Sequence, residues 1–181
     1  MRNILFTSIV APQQVEAMCQ LAATTPPGAF CEVGVYRGGS AAKLYDVALA
    51  QGRELHLFDT FRGTPVHVPG LDHHKVDNEF EALDTPGLIL AHLPTAKVHV
   101  GIYPATHPED LGDVAFIHCD CDQYDSYRGV IDRMWPCVVP GGILLFDDYP
   151  YLAGAKKAVE ESFLPGQLRP CLSRFYVIKG V

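Results

Sequence analysis

The sequence predicts an α/β fold of three layers: a mostly parallel sheet with helices on both faces. Three observations lead there. Short apolar runs alternate with segments of helical period. The runs are continuously apolar, as in strands buried on both faces. Several of them close on an acid or a glycine, which gathers polar groups at one edge of an apolar sheet, the edge where such sheets bind ligands. A chain of 181 residues is expected to form one domain, 1–181. With 48% apolar and 19% charged residues, it has the material for a core.

The elements follow in order. Pro12 to about Thr25 reads as a helix with Val15, Met18, Cys19 and Ala22 on one stripe, and the Pro26-Pro27-Gly28 run stops it. Ala29 to Val35 is a buried strand. The turn Tyr36-Arg37-Gly38-Gly39-Ser40 leads into a helix from Ala41 to Ala50, with Ala42, Tyr45 and Leu49 facing inward. Glu54 to Asp59 is the second strand. Arg62 to about Leu83, rich in Gly, Pro and His, is a long irregular connection of the kind that forms lids and binding loops. A helix over Leu88–Leu93 precedes strands at Lys97–Tyr103 and Val114–Asp120. Asp125 to Cys137 is a helix burying Val130, Ile131, Met134 and Trp135. After a turn at Val139–Gly142 come a strand to Asp148, a helix from Ala153 to Phe163, and a last strand from Ser173 to Lys179.

The formal net charge of −7 disfavours nucleic acid or an anionic membrane as main partner. No apolar run approaches the roughly 20 residues that span a bilayer. Ile4–Val10 is too short for a signal peptide, so a soluble cytoplasmic protein is expected. The six cysteines sit mostly in apolar runs, as reduced buried thiols do. A zinc site at His118-Cys119-Asp120-Cys121 lacks a second ligand pair to complete it.

Four constellations carry chemistry. Glu32-x-Gly34-x-x-x-Gly38-Gly39-Ser40 joins a strand to a helix, where glycines admit a ligand to the backbone and the helix offers free N–H groups. Asp59 ends the next strand, one βαβ unit on, where an acid can bind both hydroxyls of a ribose. Glu32 would repel a pyrophosphate and suits a cationic ligand, which favours S-adenosylmethionine over a nicotinamide dinucleotide. Asp120 with Asp122, and Asp147 with Asp148, bring acids to the same edge, an oxygen set for Mg²⁺, Mn²⁺ or Ca²⁺. His73 and His74 in the long loop can serve as bases, or stand as exposed loop histidines. Tyr149-Pro150-Tyr151 could wall a substrate pocket or pack in the core.

These stretches are familiar together. Phe30–Ser40, Leu57-Phe58-Asp59-Thr60-Phe61-Arg62-Gly63, His118–Ser126 and Pro140-Gly141-Gly142…Asp147-Asp148-Tyr149 resemble, in order, four motifs of the macrocin O-methyltransferase family. The resemblance covers about residues 29 to 160. It implies the class I S-adenosylmethionine-dependent methyltransferase fold with a seven-stranded, mostly parallel sheet. It also implies Mg²⁺-dependent methylation of a hydroxyl of a small molecule, a sugar of a natural product. Carried over by position, Glu32, Gly34, Gly38 and Ser40 would hold the methionine end, Asp59 the ribose, and Thr60 and Phe61 the adenosine. Asp120, Asp147 and Asp148 would ligate Mg²⁺, with Asp120 and His74 as candidate bases for the substrate hydroxyl. The chain departs from the pattern at Cys121, which stands where the family has glycine and leaves Asp122 as an alternative ligand to Asp120. It is also short at its N-terminus. A second subunit could cover an exposed sheet edge. The competing readings are a nicotinamide-dependent oxidoreductase on a similar sheet and a non-catalytic S-adenosylmethionine-binding module.

Overall fold

The computed structural model describes residues 6–65, 68–72 and 79–180. Its helices are α1 (Pro12–Ala23), α2 (Gly39–Ala50), α3 (Thr85–His92), α4 (Tyr124–Gly129) and α5 (Ala153–Glu160). Its strands are β1 (Ala29–Val33), β2 (Leu55–Asp59), β3 (Ala96–Val100), β4 (Val114–Cys119), β5 (Val138–Phe146), β6 (Arg169–Cys171) and β7 (Arg174–Ile178). They form one seven-stranded sheet in the order β3-β2-β1-β4-β5-β7-β6. The pairings from β3 through β5 are parallel, while β7 runs antiparallel to both β5 and β6. The predicted α/β architecture therefore holds.

Strand alternation builds the three layers. Phe30 and Phe116 face one side with Val15, Met18, Leu44 and Ile89 of α1, α2 and α3. Their neighbours Cys31 and Ile117 face the other with Tyr127, Val130, Ala155 and Val159 of α4, its continuation and α5. Period-two side-chain direction thus sends one strand into two cores. Each fully buried Phe contributes about 1.5–3 kcal/mol of transfer free energy.

The structure corrects several local expectations. Leu49, expected inside, is 52% exposed. The expected long helix after Asp125 is α only to Gly129, continues as a π turn over Val130–Met134, and tightens to a 3₁₀ turn at Trp135–Cys137, which holds Pro136. Pro lacks the N–H that regular continuation would need. The expected turn at Val139–Gly142 lies inside β5: Val114 pairs with Val138 but Phe116 with Ile143, so the extra residues loop out of register, with Gly141 at φ 83°. β6 carries no apolar run and contains Pro170, so no strand pattern marks it.

At the β2–β3 edge three rings stack. His99 lies 4.4 Å from the Phe58 ring centroid, and His56 Nδ1 lies 3.1 Å from His99 Nε2. One of those nitrogens must donate and the other accept, so both rings cannot be cations together. Burial lowers the pKa of both from 6.5; a positive neighbour lowers His99 further, whereas Glu54 partly offsets the shift at His56. Lys97 lowers and Asp110 raises both. With folded-state pKa values below the unfolded ones, these rings leave stability intact at neutral pH and remove it as pH falls below about 6.5. A urea series should show the midpoint declining from neutral to mildly acidic pH, and His99→Phe should flatten that decline. An unchanged slope in the variant would refute the assignment.

Candidate active site

The carboxyl ends of β1, β2 and β4 open onto a cleft. It is lined by Gly34, Tyr36, Ser40, Asp59, Thr60 and Asp120, among others. Gly34 is required by the fold itself: φ is 90°, and a Cβ there would lie 1.6 Å from the Asp120 carbonyl oxygen. The first strand can therefore pass beside the end of β4 only with glycine at that position. Gly38, at φ 74°, starts α2, and the Thr7 backbone bridges to it, which sets Thr7–Val10 along one wall of the cleft.

Glu32 is fully buried beneath this turn. Its Oε1 accepts a hydrogen bond from Ser40 Oγ (2.5 Å) and lies 3.1 Å from His118 Nδ1. Among the described residues its Oε2 has no hydrogen-bond partner. A buried carboxylate oxygen without a partner is costly, and a cationic ligand group would satisfy it. Asp59 Oδ2 accepts the N–H groups of Val35 (2.6 Å) and Tyr36 (2.8 Å), and Oδ1 accepts that of Phe61 (2.7 Å). These bonds fix the carboxylate and leave acceptor capacity on Oδ1. Thr60 Oγ1 donates to the Gly63 carbonyl at 2.7 Å. Phe61, expected beside the adenosine, instead turns into the core at 2% exposure and does not line the cleft.

Asp120 joins two groups. One of its oxygens lies within 4.8 Å of ligand atoms of Glu32 and His118, and likewise of Asp147 and Asp148. Burial raises its pKa well above 3.8, with Asp147 and Asp148 adding repulsion. Burial, then Asp122 and Asp147, do the same to Asp148. Asp122 lines the cleft, its N–H donates to Asp148 Oδ2 (3.1 Å), and burial pushes its carboxyl up to about 6. Carboxylates crowded in this way are relieved by a dication, and oxygen ligands suit a hard one.

Two members of this network were not singled out as site residues in the sequence. Arg174 of β7, 0% exposed, donates from Nη1 to Asp147 Oδ1 at 2.6 Å and from Nη2 to the Gln14 carbonyl. His118 Nε2 lies 3.3 Å from the same Asp147 oxygen. Burial alone would lower the His118 pKa, but its bonds to Asp147 and Glu32 push it up to about 10. Burial would raise that of Asp147, but the His118 bond and the Arg174 charge hold it below 3.8. Period-two alternation along β4 was the available signal for His118, since it puts His118 and Asp120 on the same side.

Tyr149 packs on Phe146 and Phe175 and Tyr151 is 66% exposed; neither lines the cleft. Phe80 lines it and meets the Tyr36 ring edge-on at 5.7 Å. His73 and His74 lie outside the described residues. Asp72, at the near end of that stretch, accepts the Tyr124 N–H (2.9 Å) at the start of α4 and the Val68 N–H (2.7 Å). The residue before α4, Gln123, makes no side-chain cap, so a remote carboxylate supplies it. Asp72→Ala should cost about 1 kcal/mol, the usual worth of a cap. Gly154→Ala should have a similar effect, because a Cβ there would lie 2.4 Å from Asp72 Oδ1. Urea denaturation of both variants checks this; an unchanged midpoint would argue against the cap.

A sheet of this order with its cleft at the ends of β1, β2 and β4 defines a class I methyltransferase fold. The chain belongs to the macrocin-O-methyltransferase (TylF) family, whose model matches residues 12–165. It is 30% identical over 141 residues to the 8-demethyl-8-(2,3-dimethoxy-alpha-L-rhamnosyl)-tetracenomycin-C 4'-O-methyltransferase of Streptomyces olivaceus, covering 68% of this chain and 53% of that one. It is 27% identical over 158 residues to the mycinamicin III 3''-O-methyltransferase of Micromonospora griseorubida, covering 75% and 60%. The chain thus spans a little over half the length of these relatives. The solved O-methyltransferase NovP superposes with a TM-score of 0.76 at 21% identity, over 94% of this chain and 81% of that one. Among the described residues no helix is long and apolar enough to cross a membrane.

Proposed function

We propose that the chain is an S-adenosylmethionine- and Mg²⁺-dependent O-methyltransferase acting on a hydroxyl of a small molecule, a sugar moiety of a natural product. The observation that carries this reading is the position of Asp120, which lines the cleft and belongs to both the Glu32 group and the Asp147–Asp148 group. One relative's name specifies 4'-O-methylation of a rhamnosyl-bearing compound, which supports a sugar hydroxyl as acceptor. In this reading residues 1–181 form one domain, working in the cytoplasm, where six free thiols stay reduced.

Glu32, with Gly34, Gly38 and Ser40, would hold the methionine end of the cofactor, the unpartnered Oε2 accepting its ammonium. Asp59 would take the ribose, and Thr60 would flank the adenosine. Asp120, Asp147 and Asp148 would hold Mg²⁺, an ion that lowers the pKa of a bound hydroxyl. Asp120 would also help take the hydroxyl proton, with His74 as the second candidate base. His118 and Arg174 keep Asp147 ionised and oriented. Tyr36, Phe80 and Ile102 wall the cleft against water.

Calorimetry with S-adenosylhomocysteine and with NADH, followed by turnover on glycosides bearing vicinal hydroxyls, tests the proposal. Binding of S-adenosylhomocysteine and turnover abolished by EDTA and restored by Mg²⁺ are expected. Equal turnover in EDTA would remove the metal role. Preference for NADH would point to an oxidoreductase, and cofactor binding without metal binding to a non-catalytic module.

A further inference from the structure

Cys121 stands in the acid-bearing turn where the family motif has glycine, and the structure gives it a partner. Its Sγ lies 3.6 Å from that of Cys119, with Asp120 between the two residues. Cys121 lines the cleft, whereas Cys119 is fully buried at the end of β4. The turn that follows is tight: the Gln123 N–H donates to the Cys121 carbonyl at 2.5 Å, and Asp122 has φ 58°. All six thiols are free. One reachable sulfur backed by one buried sulfur is the arrangement of an attacking and a resolving thiol.

We propose that Cys119 and Cys121 are a modification site for low-molecular-weight disulfides, closing to an intramolecular disulfide across Asp120. The Cys121 thiolate attacks one sulfur of the disulfide, releasing one equivalent of the small thiol and leaving a mixed disulfide. The Cys119 thiolate then attacks the Cys121 sulfur and expels the second equivalent. Two protein thiols are oxidised, one small disulfide is reduced to two thiols, and the two protons end on the released thiols. Closure shortens the sulfur separation to about 2.05 Å. The two residues drawn together flank Asp120 directly, so the strain of closure falls on its backbone. Asp120 is therefore displaced from Asp147 and Asp148. The consequence for turnover rests on the proposed function; the disulfide itself does not.

Burial, then the Cys119 sulfur and the charges of Asp148 and Asp122, raise the Cys121 pKa well above 9.0, so the test is incubation of the folded protein with oxidised glutathione over a rising alkaline pH series, followed by peptide mapping of residues 119–121. Loss of both thiols there, with no retained glutathione, is expected in the parent. Cys119→Ser should retain glutathione on Cys121, and Cys121→Gly should leave Cys119 unmodified. A lasting adduct on the parent's Cys121, or no reaction there while Cys137 and Cys171 react, overturns the proposal. Methyl transfer in the oxidised parent should fall about 10²-fold, the scale of a misplaced reacting group, and return with dithiothreitol. If the reduced protein transfers no methyl group, the functional reading fails while the mapping still decides the disulfide.

Discussion

Asp120→Asn is expected to lower methyl transfer on the order of 10³-fold, the scale of removing a group that holds charge in place at a reacting oxygen. Asparagine keeps the shape of the side chain, and the Asp120 N–H bond to the Val33 carbonyl (2.9 Å) is untouched, so the end of β4 stays in place. Affinity for S-adenosylhomocysteine should remain within about threefold, because the loss falls on the reaction rather than on binding. The variant should be no less heat-stable than the parent in the absence of metal, since one of several mutually repelling carboxylates is gone. Turnover and Mg²⁺ titration of parent and variant check this. A variant that still responds to EDTA and Mg²⁺ as the parent does would show that the ion is held elsewhere.

Arg174→Met is expected to destabilise the fold by about 3–5 kcal/mol, the cost of stranding one partner of a buried ion pair. The guanidinium is fully buried and closes two elements at once: it neutralises Asp147 just past β5 and satisfies the Gln14 carbonyl on α1. Methionine fills much of the same space, so the loss is mainly of charge and hydrogen bonds rather than of packing. Urea denaturation of the single variants and of the Arg174→Met/Asp147→Asn pair completes a double-mutant cycle. Additive losses would mean that the two side chains do not act on each other. Metal affinity of Arg174→Met is expected to rise, because Asp147 then lacks its internal counter-charge.

Much of this was legible in the chain because each feature sits beside an apolar run. Asp59 ends a strand, Asp120 and Asp147 follow theirs directly, and the glycine turn separates a strand from a helix, so strand order alone places them on one edge. What escaped the sequence depends on separation. His118 meets Glu32 across 86 positions, Asp72 caps Tyr124 across 52, and Arg174 reaches Asp147 across 27. No local propensity encodes these pairs; they exist only once the sheet order is set. β6, a three-residue strand with a proline, carries too little pattern to be recognised. The looped-out residues within β5 look like a turn, because glycine and proline serve both purposes.

The guanidinium on β7 also orders events at the ribosome. Glu32, Asp120, Asp147 and Asp148 are all translated before Arg174, so a nascent chain carries the acids of its future site for some time without their fixed counter-ion. Until β7 slots in beside β5, those acids have reason to stay hydrated and apart. Closure of the acid cluster therefore waits on the penultimate neighbour in the sheet, and a dication bound there would hold the acids together in the interval.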